Sequence, residues 1–249
     1  MSDKKRALLI VDVQNDFCPG GALGVVEGDQ VIAPLNKLID DFLHRGEPVF
    51  RSRDWHPRQT KHFMEFGGTW PVHCVQDTKG AEFHPDLIDD ERIRTISKGM
   101  GDEDSYSAFD GTDLAQHLQS LGVEEVWIGG LATDYCVKNT VLDALKEGFE
   151  VKALADAMRA VEVKPGDGER AIEEMRAAGA SIVDSSGNGD HHPNDQGNSS
   201  NEDYMKDVDR TLIRQNLKLT VTERFQQLMA LQRFAAELQK AGREAQRGD

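Results

Sequence analysis

Short apolar runs rich in β-branched residues alternate with longer amphipathic stretches, and this alternation constrains the fold more than any other feature. The six candidate strands are ALLIVDV (7–13), PVFRSRD (48–54), IRTIS (93–97), EVWIGGL (125–131), EVKAL (150–154) and ASIVD (180–184). Candidate helices lie at 29–45, 110–121, 135–147 and 167–178. Strands that alternate with helices predict an α/β fold with a mostly parallel sheet.

The composition changes after this pattern. SSGNGDHHPNDQGNSSNED (185–203) is polar and rich in Gly, Asn and Ser, which is typical of a flexible linker. We therefore predict a domain at 1–186, a polar linker at 187–203 and a helical C-terminal extension at 204–249. An apolar stripe at helical spacing runs through the extension over Phe225, Leu228, Leu231, Phe234, Ala235 and Leu238. Such a stripe favours packing on the main domain or on a second copy of the chain, with a foreign partner as the alternative.

Charge and apolar length exclude several classes of partner. The net charge of -15 would repel nucleic acid and anionic membranes. No stretch approaches the roughly 20 apolar residues of a membrane span, and the run from Ala7 to Val11 is too short for a signal peptide. The three cysteines, an odd number without regular spacing, indicate reduced thiols rather than a disulfide framework. We expect a cytoplasmic protein.

Four polar residues lie where candidate strands finish, or one short turn beyond: Asp12, Asp54, Lys98 and Cys136. Ligands of open parallel sheets bind outside the carboxyl ends of the strands, so these side chains are expected to meet. Each alone could be structural, and Cys136 could be a small core residue.

Together, these residue types fit acyl transfer by a cysteine nucleophile. Asp12 could take the proton of Cys136, while Lys98 and the start of a helix favour the thiolate. Backbone N–H groups between Ala132 and Cys136 could form an oxyanion hole.

A second set of residues suits a metal ion. Asp54 and His56 are two apart, so both would face one way on an extended strand, and His62 and His73 follow in DWHPRQTKHF and WPVHCV. Two imidazoles and a carboxylate suit zinc, iron or manganese, although histidines in loops are commonly solvated. Phe17 and Trp70 could form the walls of a site for a flat substrate, or could be ordinary core residues.

Five motifs together resemble the nicotinamidases (pyrazinamidases) among the isochorismatase-like cysteine hydrolases. These motifs, in the family's order, are LLIVDVQNDFCPGGAL (8–23), RDWHP (53–57), WPVHCV (70–75), ISKGM (96–100) and GGLATDYCVKNTVLDAL (129–145). The resemblance covers residues 7 to about 186 and leaves the extension outside it.

The resemblance implies a role for each matching residue. The catalytic triad falls on Asp12, Lys98 and Cys136, and the oxyanion donors are the amides of Ala132 and Cys136. The metal ligands fall on Asp54, His56 and His73, with His62 at the position of an extra histidine of some members. Pocket walls fall on Phe17, Trp70 and Tyr106, and a cis peptide falls between Ala132 and Thr133.

The resemblance also implies a fold and a reaction. The fold is a three-layer α/β/α sandwich around a six-stranded parallel sheet. The reaction is hydrolysis of nicotinamide to nicotinate and ammonia through a thioester, as in NAD salvage, with one divalent metal ion, zinc before iron or manganese. Nicotinamide is then the small-molecule partner, and a homo-oligomer involving the C-terminal helices is a further expectation.

Three alternatives stay open at this point. A related amidase could act on a ureido or carbamoyl substrate, although such relatives generally lack the Asp54, His56 and His73 set. An isochorismatase proper acts on a vinyl ether and has no use for a metal. A scaffold acting through its C-terminal helices would tend to lose catalytic groups, and none is missing here.

Overall fold

A computed structural model of the chain describes residues 4–102 and 104–189. Six strands form one sheet in which every neighbouring pair is parallel, in the order β3-β2-β1-β4-β5-β6. The strands are β1 Arg6–Val11, β2 Val49–Asp54, β3 Arg94–Lys98, β4 Glu125–Leu131, β5 Glu150–Arg159 and β6 Ser181–Val183. The predicted six-stranded parallel sheet is confirmed.

Helices cover both faces of this sheet. They are α1 Ile32–His44, α2 Leu114–Ser120, α3 Lys138–Lys146 and α4 Asp167–Ala177. Alternate residues of β1, from Ala7 to Val11, pack in one core with apolar residues of α2, α3 and α4. On the other face, Phe42 of α1 meets Trp127 of β4 with ring centroids 5.8 Å apart. Since side chains of a strand alternate between faces and both faces are covered, β1 is apolar and fully buried from Ala7 to Val11.

Some element boundaries differ from the sequence prediction. The strand predicted at 7–13 ends at Val11, because Asp12 adopts a left-handed backbone conformation with φ 49° that a strand cannot continue. The strand predicted at 150–154 extends to Arg159, where it still pairs with the end of β4. The helix predicted from residue 135 begins as a π-helical turn over Thr133–Val137, and α3 follows it.

The strand order places a crevice at one end of the sheet. From β1 the chain moves outward to β2 and β3, then returns to pair β4 on the other side of β1. Such a reversal separates the loops that follow β1 and β4, and ligands of open α/β sheets bind there.

The compact unit that contains this sheet ends at Asn188. Nearly all of the predicted linker and the whole extension at 204–249 lie outside the described residues. Within the described part of the chain, no helix combines the length and apolar character that crossing a membrane requires.

Candidate active site

The carboxyl ends of β1 and β4 approach each other closely. Gly130 pairs with Val11 and has φ 131°, and a Cβ atom added to it would lie 2.0 Å from the Val11 carbonyl oxygen. Only glycine fits such a contact. The cis peptide bond follows between Leu131 and Ala132, so the prediction of a cis bond between Ala132 and Thr133 was one residue late. No residue type other than proline marks such a bond in a sequence.

The four polar residues predicted at strand ends lie together at this crevice. Lys98 Nζ lies 2.9 Å from Asp12 Oδ2 and 3.5 Å from Cys136 Sγ. Asp54, which pairs with Lys98 across β2 and β3, places its Oδ1 against the same ammonium. All four side chains are buried, so one ammonium faces two carboxylates and a thiol in a medium of low polarity.

Burial determines the protonation state of the thiol. It raises the pKa of Cys136 well above its ordinary value; Lys98 opposes this shift, whereas Asp12 and Asp54 add to it. Lys98 therefore acts in the direction expected from the sequence, but its effect does not offset burial, and the thiol is protonated. Burial also raises the pKa of Asp12, against the opposing effect of Lys98. A protonated thiol thus lies near a carboxylate of increased basicity. Sγ of Cys136 lies within 4.8 Å of a carboxylate oxygen of Asp12.

The other two charged groups stay ionised. Burial alone would lower the pKa of Lys98, but Asp12 and Asp54 raise it well above its usual value. Burial alone would raise the pKa of Asp54, but Lys98 and the neighbouring imidazoles hold it below its ordinary value.

Cys136 lies in the π-helical turn that precedes α3. The carbonyl oxygen of Ala132 accepts the backbone N–H groups of Tyr135 and Val137, each at 3.1 Å. The thiol is thus held over the first turn of a helix, where backbone N–H groups concentrate. The amides of Ala132 and Cys136 lie in this segment, and both residues line the adjoining cavity.

Three histidines form a second cluster beside the first. One ring nitrogen from each of His56, His62 and His73 lies within 4.8 Å of the others. Nδ1 of His56 contacts the carbonyl oxygen of Gly99 at 2.9 Å, and Nδ1 of His73 contacts that of Pro71 at 2.7 Å. A carbonyl only accepts hydrogen bonds, so Nδ1 is the donor in both rings and Nε2 is the nitrogen left to face the site.

Asp54 connects the two clusters. Its Oδ2 lies 3.6 Å from Nε2 of His56 and 3.9 Å from Nε2 of His73. Nε2 of His56 is buried and lacks a hydrogen-bond partner in the described part of the chain. Burial lowers the pKa of His73 to about 3 and also lowers that of His62, so both rings are neutral. Neutral imidazoles with oriented Nε2 atoms beside a carboxylate suit a divalent metal ion such as zinc.

A cavity adjoins both clusters. Its empty volume is about 400 Å³ when the open mouth is counted. Its lining residues are Phe17, Leu23, Asp54, His62, Trp70, His73, Ser105, Tyr106, Ala132, Tyr135, Cys136 and Val161. The three predicted wall residues, Phe17, Trp70 and Tyr106, are among them. Trp70 Nε1 donates a hydrogen bond to Tyr106 Oη at 2.8 Å, and the Trp70 ring meets that of Tyr135 edge-on at 5.0 Å. Aromatic walls around a few polar groups are typical of a small-molecule pocket.

Sequence reasoning missed several polar residues that hold this site. The side chain of the buried Gln14 makes two hydrogen bonds to the backbone of Asp54. It accepts the N–H at 2.7 Å and donates to the carbonyl oxygen at 2.8 Å. Ser52 donates to Asp12 Oδ1 at 2.7 Å, and Asp16 accepts the N–H of Cys74 next to His73 at 2.7 Å. DVQNDF is a mostly polar run directly after a buried strand. This run is the signal that could have identified Gln14 and Asp16.

Replacing Gln14 by alanine is expected to lower the free energy of unfolding by about 2–3 kcal/mol, because it leaves buried backbone groups of Asp54 and Ala81 without partners. Urea denaturation measures this loss. Gln119→Ala, at an exposed position of α2, is the matched control. Equal unfolding free energies for the two variants would show that the hydrogen bonds of Gln14 contribute nothing to stability.

Comparison with known proteins agrees with this geometry. The Isochorismatase domain family matches residues 6–186. The chain is 43% identical to the nicotinamidase of Escherichia coli, over 71% of this chain and 93% of that one. It is 38% identical to the nicotinamidase/pyrazinamidase of Mycobacterium tuberculosis, over 73% of this chain and 100% of the relative.

A solved structure is also similar. The crystal structure of the pyrazinamidase of Pyrococcus horikoshii in complex with zinc is 50% identical, with a TM-score of 0.69, and the match covers 72% of this chain and 99% of that one. The resemblance to nicotinamidases seen in the sequence is thereby confirmed. The parallel sheet, the family match and these relatives all agree. The chain therefore belongs to the isochorismatase domain family of hydrolases.

Proposed function

We propose that this protein is a nicotinamidase that hydrolyses nicotinamide to nicotinate and ammonia, with Cys136 as the nucleophile. The observation that carries the proposal is the position of Cys136 Sγ, 3.5 Å from Lys98 Nζ, in an aromatic-lined cavity that His62 and His73 also line. The cavity thus offers a reactive thiol and nitrogen ligands to one flat ligand. The named activities of the relatives support the same substrate.

The first half of the reaction uses the buried ion cluster. As Sγ of Cys136 attacks the carboxamide carbon, Asp12 takes the thiol proton, which the raised pKa of the thiol requires. The amides of Ala132 and Cys136 would stabilise the oxyanion. Asp12 then gives its proton to the leaving nitrogen, the carbon–nitrogen bond breaks, and ammonia departs from a nicotinoyl thioester.

The second half restores the enzyme. Asp12 takes a proton from a water molecule that attacks the thioester carbonyl, and the carbon–sulfur bond breaks. Nicotinate leaves and Cys136 recovers its proton. Lys98 stays an ammonium throughout, so that Asp12 can change its charge without leaving an uncompensated buried carboxylate.

The metal site would hold the ring of the substrate. Asp54, His56 and His73 are the proposed ligands of a divalent ion, with zinc favoured by the mixed nitrogen and oxygen set and iron or manganese as alternatives. Such an ion would supply a Lewis-acid contact for the pyridine nitrogen. Phe17, Trp70 and Tyr106 would enclose the ring. Ser105 Oγ, buried at the cavity and without a hydrogen-bond partner in the described residues, suits a polar group of the ligand.

Metal removal tests the proposal. The purified full chain is expected to release ammonia from nicotinamide, to lose this activity after chelation, and to regain it when zinc is added back, since the ring would otherwise be poorly oriented. Circular dichroism of the chelated protein controls for loss of the fold. The absence of turnover by the zinc-loaded protein would contradict the substrate assignment and favour ureido or carbamoyl amides. The cytoplasmic location and the self-association through residues 204–249 stay predictions.

A further inference from the structure

The three clustered histidines are held in two different ways. His56 and His73 are oriented by backbone carbonyls, those of Gly99 and Pro71. His62 is oriented by a side chain, because its Nδ1 contacts the carboxylate of Asp104. The orientation of His62 is therefore the one among the three that a substitution can remove directly.

The segment that follows β3 fixes His62 at a second point. Thr60 donates its hydroxyl to the carbonyl oxygen of Gly101 at 3.1 Å and accepts the backbone N–H of His62 at 3.2 Å. Both the backbone and the ring of His62 are thus tied to residues just after Lys98. The same segment supplies the Gly99 carbonyl that orients His56. Glycine is required there, because with φ 67° a Cβ atom would lie 2.6 Å from Cε1 of His56.

The ring of His62 is placed to act with the other two. It is 5% exposed and stacks on His56 with ring centroids 4.4 Å apart. Because Asp104 engages Nδ1, the ring nitrogen left for a ligand is Nε2. The side chain of Asp104 is 49% exposed, so its contact with His62 contributes little to folding stability and is better explained by what it does to the ring.

We propose that Asp104 is a positioning residue: it directs Nε2 of His62, the extra histidine that the family resemblance already implies, toward the metal site formed by Asp54, His56 and His73. This inference rests on the proposed metal-dependent function. Carboxylates that hold the second nitrogen of a metal-binding imidazole orient the ring and increase its basicity.

The test measures zinc affinity directly, by competition with a chromophoric chelator. Asp104→Ala is expected to weaken zinc binding about 10- to 100-fold, the range found for such supporting residues. Asp104→Asn retains an acceptor for Nδ1–H and is expected to recover most of the affinity. Asp102→Ala is the matched control, because Asp102 lies in the same segment and pairs only loosely with the exposed Lys61, at 3.6 Å.

A double-mutant cycle separates positioning from a general effect of charge. His62→Ala is expected to weaken zinc binding at least as much as Asp104→Ala, and adding Asp104→Ala to it is expected to change nothing further. The inference would be overturned if Asp104→Ala bound zinc as tightly as the wild type does. It would also be overturned if Asp104→Ala weakened zinc binding in the His62→Ala background as much as it does in the wild type. Hydrolysis of nicotinamide by the same wild-type preparation is measured separately, so a wrong substrate would be recognised without affecting the zinc result.

Discussion

Replacing Cys136 by alanine is expected to reduce ammonia release from nicotinamide by about 10⁴-fold or more, because no other thiol among the described residues lines the cavity to form the acyl intermediate. The fold should persist, since the loss of one buried sulfur atom costs about 1 kcal/mol. Binding of nicotinate should persist too, because the aromatic walls and the histidines are untouched. Steady-state ammonia assays and calorimetric titration with nicotinate measure these two results.

Cys18→Ala is the matched control for this variant. Cys18 is also buried, and burial raises the pKa of its thiol to about 12, but it does not line the cavity. Turnover by Cys18→Ala should equal that of the wild type. Intact-mass analysis of the wild type, quenched with acid during turnover, should show a nicotinoyl adduct that Cys136→Ala lacks. Turnover by Cys136→Ala near the wild-type rate would place the nucleophile elsewhere or replace it with a direct attack by water.

The meeting of the four strand-end residues could be predicted because it depends on topology alone. Parallel strands bring their carboxyl ends to one edge, so Asp12, Asp54 and Lys98 converge once the strands are recognised. Cys136 follows β4, which neighbours β1 at the reversal of strand order. Local periodicity is sufficient for this inference, and no tertiary contact has to be known.

The connections around these residues could not be predicted in the same way. The contact of Asp104 with His62 joins residues in two loops, and loops carry no periodic pattern from which a pairing could be derived. The hydrogen bonds between Gln14 and the backbone of Asp54 require the left-handed backbone at Asp12, which turns the chain after β1. Aspartate adopts positive φ more often than most residues, but most aspartates do not, so its identity alone does not predict that turn.

The size of the effect of burial on Cys136 could not be predicted, for an electrostatic reason. A sequence shows which charges are present but gives neither the depth of burial nor the distances between the groups. Burial raises the pKa of the thiol more than the nearby ammonium lowers it, and the two carboxylates add to the effect of burial. A protonated thiol supports the proposed role of Asp12 as the proton acceptor.

Replacing Lys98 by methionine is expected to abolish nicotinamide hydrolysis and also to lower the free energy of unfolding by about 3–5 kcal/mol. The substitution preserves most of the side-chain volume but leaves Asp12 and Asp54 buried without their shared cation. Urea denaturation of the chelated protein measures the loss of stability, since a bound metal ion would compensate part of the charge of Asp54. This combination of effects distinguishes Lys98 from Cys136, whose replacement should abolish activity and lower the stability by only about 1 kcal/mol.

A second substitution identifies the cause of that loss. Adding Asp12→Asn to Lys98→Met removes one of the two uncompensated carboxylates, so part of the stability should return while activity stays absent. Lys146→Met, at a side chain that is 76% exposed in α3, is the control and should change the stability by about 0.5 kcal/mol or less. If the double variant were no more stable than Lys98→Met, the buried charges would not be the cause, and packing around the lysine stem would have to explain the loss. If it recovers, the ammonium of Lys98 is what allows two carboxylates, one for proton transfer and one facing the histidines, to share a single buried site.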